Sequence, residues 1–224
     1  ARLVLNGNMI TNYGKDLSGL TALCDVLPTL KNPISLELAD CNLKVAEVNE
    51  LARAMAAGAA IARLVLNGNM ITNKGKDLSG LTALCDVLPT LKNPISLELA
   101  NCNLKVAEVN ELARAMAAGG ALTSVVLDGN ELSGTKIEHK GQSYEKIEQL
   151  DADLSGFTEF CASLKSSTVV SLSLRKCYLG PQALDLLADA IKLMGAVAHV
   201  GLGSNPIGDK AMIPLLDTLK DIPL

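Results

Sequence analysis

The chain has 224 residues, 49% of them apolar and 20% charged, enough to bury a substantial core within the span of one or two ordinary domains. A formal net charge of −4 with no run of Lys or Arg gives no electrostatic case for nucleic acid or an anionic membrane as partner. The apolar stretch around residues 55–62 is interrupted by Gly58 and falls short of the roughly 18 residues a membrane span needs.

The chain opens directly on a patterned segment, Ala1-Arg2-Leu3-Val4-Leu5, with no signal-peptide pattern before it. The apolar-x-Leu pair at Leu3 restarts at Leu36, Leu64, Leu97, Val125, Leu172 and Val200, at spacings of 33, 28, 33, 28, 47 and 28 residues. Long and short units therefore alternate, and the 47 is a 33 carrying 14 further residues. Each pair predicts a short strand. After it comes Asn8, Asn69, Asn130 or Asn205 in one class of unit and Cys41, Cys102 or Cys177 in the other. The asparagine amides are expected to turn inward, onto backbone groups left open by a sharp turn, with the cysteines filling the same niche.

The return segment of each unit predicts a helix. Val48, Leu51, Ala52 and Met55 follow helical spacing, as do Leu184, Leu187, Ala188 and Ile191. In the long class Leu20, Leu23, Cys24 and Leu27 do the same, and Pro28 falls where the helix should stop. Residues 61–71, I-A-R-L-V-L-N-G-N-M-I, show the whole motif as I-x-x-L-x-L-x-x-N-x-I, which is the leucine-rich repeat pattern. A single strand-helix unit cannot bury its own apolar face, so the units must stack. The expected fold is α/β: a right-handed leucine-rich repeat solenoid, or horseshoe, with a parallel sheet on the concave face and helices on the convex face. It should form one domain over residues 1–224, with about seven repeats and an inserted loop over residues 133–152. In that loop Thr135, Ile137 and His139 alternate with charged residues, and Tyr144 and Ile147 follow, which suits a solvent-facing hairpin or ordered loop.

Residues 1–61 and 62–122 align without a gap and differ only at Tyr13/Lys74, Asp40/Asn101, Ala59/Gly120 and Ile61/Leu122. Stacking requires repeats to share only core positions, yet exposed pairs such as Lys44/Lys105 and Asn49/Asn110 are identical as well. Later repeats diverge freely. A recent or deliberate duplication of a 61-residue, two-repeat module explains this, and a deliberately lengthened protein explains it best.

The chemistry-bearing residues form no catalytic constellation. Gly201-x-Gly203 with Gly208 has the wrong spacing for a dinucleotide fingerprint, and no Ser or Thr follows Gly14-Lys15 to complete a phosphate loop. Glu47 with Glu50, Glu108 with Glu111, and Asp185 with Asp189 are expected on solvated helix faces opposite the apolar stripe. Six cysteines at core or turn positions, with no C-x-x-C, read as reduced buried thiols of an intracellular, cytoplasmic protein rather than as disulfides or metal ligands. No enzyme activity, cofactor or metal is expected. What remains is the concave face, where strand alternation directs Arg2, Glu37, Arg63, Glu98, Asp128 and Arg175 outward as candidate protein-binding residues. Arg2, Glu37, Arg63 and Glu98 alternate in sign on neighbouring strands, which also fits a self-neutralising ladder.

On the L-x-L-x-x-N/C-x-L motif, its helical returns and its alternating Asn and Cys classes, the chain resembles the ribonuclease-inhibitor-like subfamily of leucine-rich repeats across essentially its whole length. The segments L-S-L-R-K-C-Y-L-G and V-G-L-G-S-N-P-I-G-D are also similar to the repeats of CARMIL-type actin regulators. The resemblance implies a non-catalytic scaffold that binds proteins through its concave face. The duplication points instead to an engineered repeat protein without a native activity. The first strand and helix begin without a preceding cap, so self-association through the solenoid ends is a further expectation.

Overall fold

The computed structural model describes residues 1–140, 144–208, 212–213 and 216–217. Strands and helices alternate: β1 (Arg2–Val4), α1 (Ser18–Val26), β2 (Ile34–Glu37), α2 (Val45–Ala56), β3 (Ile61–Val65), α3 (Ser79–Val87), β4 (Ile95–Glu98), α4 (Val106–Ala117) and β5 (Leu122–Val126). The inserted segment contributes β6 (Lys136–Lys140) and β7 (Tyr144–Gln149), after which α5 (Ser155–Leu164), β8 (Ser171–Ser173), α6 (Pro181–Ile191) and β9 (His199–Gly201) resume the alternation. Apart from β6 and β7, the strands form one seven-stranded sheet whose order is the chain order, and every neighbouring pair is parallel.

The marker residues align across this sheet. Leu3 pairs with Leu36, Leu36 with Leu64, Leu64 with Leu97, Leu97 with Val125, Val125 with Leu172 and Leu172 with Val200. Together with Leu38, Leu66, Leu99, Leu127 and Leu174 they enter a core that runs unbroken along the array, where the helix stripes meet them. In the last long unit Phe157 and Phe160 stand where the earlier copy has Leu81 and Leu84, with ring centroids 6.1 Å apart.

Local chemistry fixes the ends of the helices. Asp16, Asp77 and Asp153 each accept the backbone N–H of the serine two residues on, at 2.9, 2.9 and 3.0 Å. These turns start α1, α3 and α5, and the serine hydrogen bonds hold all three carboxyls below the usual aspartate range. Pro28 and Pro89 lie in 3-10 turns, Leu27–Thr29 and Leu88–Thr90, that close the first two of these helices.

The asparagine turns are built as expected except at Asn8, which is exposed and only donates to the carbonyls of Leu5 and Asn6. Asn69 Oδ1 accepts the N–H groups of Cys41 and Leu43 at 3.1 and 2.8 Å, and its Nδ2 donates to the carbonyls of Leu38 and Leu66, both at 2.8 Å. Asn130 and Asn205 make the corresponding bonds one and two modules later. Each of these amides, buried at Asn69 and Asn130 and half-buried at Asn205, thus ties two consecutive repeats together. The cysteine class replaces it with a thiol donated backwards: Sγ of Cys41, Cys102 and Cys177 reaches the carbonyls of Leu5, Leu66 and Leu127 at 3.1, 3.2 and 3.2 Å. All six cysteines are free and buried, and burial pushes the thiols of Cys85, Cys102, Cys161 and Cys177 up to about 12.

Two expectations require correction. Glu47 and Glu108 are buried rather than solvated. Glu47 Oε2 accepts the N–H of Lys44 at the start of α2, and its Oε1 accepts the hydroxyl of Thr11 from the previous repeat, at 3.0 and 2.8 Å. Glu108 repeats this with Lys105 and Thr72. Apolar periodicity assigned these residues to the polar face; the unmet donors of a helix N-terminus and a neighbouring hydroxyl drew them inside.

The second correction concerns the insertion. Its strands do form an antiparallel hairpin, but its base is anchored in the core. The hydroxyl of buried Thr135 donates to the carbonyl of Tyr178, and Asp151 accepts the N–H groups of Gly180, Gln182 and Ala183 at 2.8, 3.0 and 3.1 Å, capping α6. The alternation expected at His139 and Tyr144 includes residues 141–143 between them, which lie outside the described residues.

Candidate functional site

Alternate residues of the strands stand on the sheet face away from the core, and register sorts them into three rows. The first carries Arg2, Ser35, Arg63, Ser96, Ser124, Ser171 and His199. The second carries Val4, Glu37, Val65, Glu98, Val126, Ser173 and Gly201. The third begins with Asn6, just beyond β1, and continues one repeat at a time through Ala39, Asn67, Ala100, Asp128, Arg175 and Gly203.

Four of the six residues singled out from sequence meet in one network. Arg2 donates from Nε and Nη2 to the two carboxylate oxygens of Glu37, at 2.6 and 3.0 Å. Arg63 reaches the same carboxylate with Nη1 at 2.6 Å and Glu98 with Nε at 2.7 Å. The other oxygen of Glu98 accepts from Asn67 Nδ2 at 3.2 Å. Glu37 is only 4% exposed. Its hydrogen bond with Arg2, reinforced by the charges of Arg2 and Arg63 against the opposing effect of burial, brings its carboxyl down to about 2. Val65 stands in register between Glu37 and Glu98 on this face and is buried, as Glu37 is, whereas Glu98 is half-buried. Both carboxylates of this region are thus paired within the protein.

The other two candidates are not part of that network. Asp128 Oδ1 accepts the backbone N–H of Arg175 at 2.8 Å, the bond that Asn6 makes to Ala39 and Asn67 to Ala100. Asp128 is therefore a strand-to-strand brace. The guanidinium of Arg175 is exposed and makes no ion pair with another described residue. Ser173 and His199 lie close to it on the last two strands. The signal that could have found them is the loss of bulk at Gly201 and Gly203, where earlier strands carry larger residues.

Among the described residues no group of three or more His, Cys, Asp or Glu side chains is placed to hold a metal ion, and no helix is long and apolar enough to cross a membrane.

The fold has counterparts among solved structures. The C-terminal domain of a Caenorhabditis elegans tropomodulin superposes with a TM-score of 0.55 at 15% identity, covering 78% of this chain and 92% of that domain. The fold is that of a leucine-rich repeat solenoid. Leiomodin-1 actin-binding site 2 is a second solenoid of similar shape, with a TM-score of 0.54 at 16% identity over 78% of this chain and 87% of that one. In sequence the solenoid is 27% identical over 192 residues to NACHT, LRR and PYD domains-containing protein 5 of Bos taurus, and 25% identical over 187 residues to protein 12 of that series from Mus musculus. It spans 84% and 83% of its own length in these matches but only 15% and 16% of theirs. No family model matches the chain.

Proposed function

We propose that the solenoid is a non-catalytic protein-interaction scaffold that has been lengthened by deliberate duplication of its 61-residue module. The observation that carries the first part is the helix-free sheet face, which presents three aligned rows of side chains over seven strands, with its bulky charges locked at one end and small polar groups at the other. Such a face suits recognition of a protein surface, and among the described residues no serine on it is hydrogen-bonded to a histidine. The near-identity of residues 1–61 and 62–122 supports the second part, because shared exposed positions such as Asn49 and Asn110 need not match for the repeats to stack. A natural gene encoding residues 123–224 behind a single module would agree with engineering; a genomic exon carrying both copies would overturn it.

The interaction reading is tested by affinity capture with two substituted chains. Ser124→Arg with Ser171→Arg places bulk on the sheet face, whereas Glu159→Lys with Asp185→Lys alters exposed helix positions. A partner lost with the first pair and kept with the second is the expected result. A partner lost only with the helix pair would contradict it.

A further inference from the structure

Around Gly201 three polar atoms converge on one point. A methyl group placed on its Cα would lie 2.8 Å from Ser173 Oγ, 3.1 Å from Arg175 Nε and 3.6 Å from His199 Nε2. Because residue 201 is a glycine, these three side chains close over its Cα, where a Cβ would be crowded by Ser173 Oγ. The Arg175 stem runs along Gly203 beside it, with Cγ and Cδ both 3.9 Å from where its Cβ would be. The backbone beneath the cluster is held in place, since strands β8 and β9 are paired and Leu174 and Lys176 donate their N–H groups to the Gly201 and Gly203 carbonyls at 2.8 and 2.9 Å.

The three groups share one chemistry. A guanidinium is a permanent cation that presents fixed N–H donors, a serine hydroxyl can donate, and an imidazole donates from Nε2 in one neutral tautomer and in its charged form. Donors around a cation select an acceptor with negative charge, and a planar carboxylate can accept from more than one of them at once. The contrast with Arg2 and Arg63 is direct, because their guanidinium groups are already spent on Glu37 and Glu98. The carboxylate of Asp128 is committed through Oδ1 to the Arg175 backbone.

We propose that Ser173, Arg175 and His199 form a binding site for a carboxylate, presented by an aspartate or glutamate side chain of a protein partner laid across strands β8 and β9. A polypeptide rather than a free ion is indicated by the setting. Arg175 and His199 are exposed on the open sheet face, and Ser171 stands beside His199 in the first row. The inference rests on reading this face as an interaction surface and adds the chemistry of the partner.

The test is a solution NMR titration of the isotopically labelled full chain, following the amides of Gly201 and Gly203 and the Arg175 side-chain N–H. N-acetyl-glutamic acid N-methylamide is the carboxylate probe, with its glutamine counterpart as the neutral isostere and inorganic phosphate as a third arm. The expected result is a saturable shift with the glutamate probe and none with the glutamine probe. Arg175→Gln should weaken binding roughly tenfold, the effect of removing a charged hydrogen-bond partner, whereas Arg114→Gln on α4 should leave it unchanged. An unaltered affinity in Arg175→Gln would overturn the proposal, as would phosphate binding as tightly as the glutamate probe. Partner capture that still depended on Ser124 and Ser171 would then leave the broader scaffold reading standing.

Discussion

Strands β1–β4 and strands β5, β8 and β9 belong to one sheet and share one backbone ladder, yet their exposed faces differ in kind. In the first group every charged side chain has a partner: Glu37 sits between Arg2 and Arg63, and Glu98 between Arg63 and Asn67. In the second group serines and glycines replace the long residues, and Arg175 stands without an ion pair among the described residues. The same architecture therefore supports a self-satisfied spine and an open end, and it is side-chain bulk rather than fold that separates them.

The core beneath the spine gives the largest expected effect. Leu66→Ala removes a fully buried side chain shared between repeats and should cost about 2 to 5 kcal/mol in urea denaturation. Asn67→Ala, on the opposite face, should cost about 1 kcal/mol, since its amide accepts the N–H of Ala100 and donates to Glu98. Strand alternation alone makes Asn67 dispensable; the structure assigns it a bracing role. Equal losses for the two would erase the distinction between core and face.

The next effect lies at the junction of the two regions. In the duplicated modules the carboxylate capping α2 and α4 belongs to the capped helix, as Glu47 and Glu108, and faces Gly14 and Gly75. In the last unit the equivalent helix position is Ala183, the equivalent glycine is Asp151, and Gly180 stands at the Lys44 position, where a side chain would collide with the Asp151 carboxylate. The carboxylate has moved from one repeat to its neighbour while still capping the helix. Asp151→Ala should therefore destabilise by about 2 to 3 kcal/mol, because three backbone donors lose their acceptor. Combining Asp151→Gly with Ala183→Glu restores the arrangement of the earlier units and should recover part of that loss in a double-mutant cycle. No recovery would show that the two cappings are not equivalent.

A smaller effect sharpens the contrast in charge. Glu37 titrates at about 2 in the folded chain against about 4.3 for an unconstrained glutamate, so its charged form favours the folded state above that range. The contribution is fully present above pH ~4.5 and is lost as pH falls toward 2. Wild type should accordingly lose stability relative to Glu37→Gln across that window. Parallel stability curves for the two chains would mean that solvent screens the ladder completely.

The fold was legible because it rests on periodicity. Leucines of the strand markers and the helix stripes are spaced by backbone geometry, and among the described residues they announced the seven strands of the parallel sheet and helices α1 to α6. The Arg2, Glu37, Arg63 and Glu98 ladder was legible for the same reason, since alternating signs on adjacent strands must meet. What periodicity could not show was polar burial. Glu47, Glu108 and Asp151 lie inside because particular N–H groups need acceptors, and that need arises only when two repeats are stacked. The grouping of Ser173 and His199 with Arg175 was hidden likewise, because it depends on an absent side chain at Gly201.

The claim that spine and open end are independent is tested most directly by deleting residues 62–122, which rejoins the chain in register and keeps the alternation of 33 and 28 residues. The measurement is an amide correlation spectrum of the shortened chain together with its denaturation curve. The account predicts a folded protein that unfolds cooperatively at lower denaturant, with the amide signals of Ser173, His199, Gly201 and Gly203 superimposed on those of the full chain. An unfolded product, or displacement of those four signals, would contradict it.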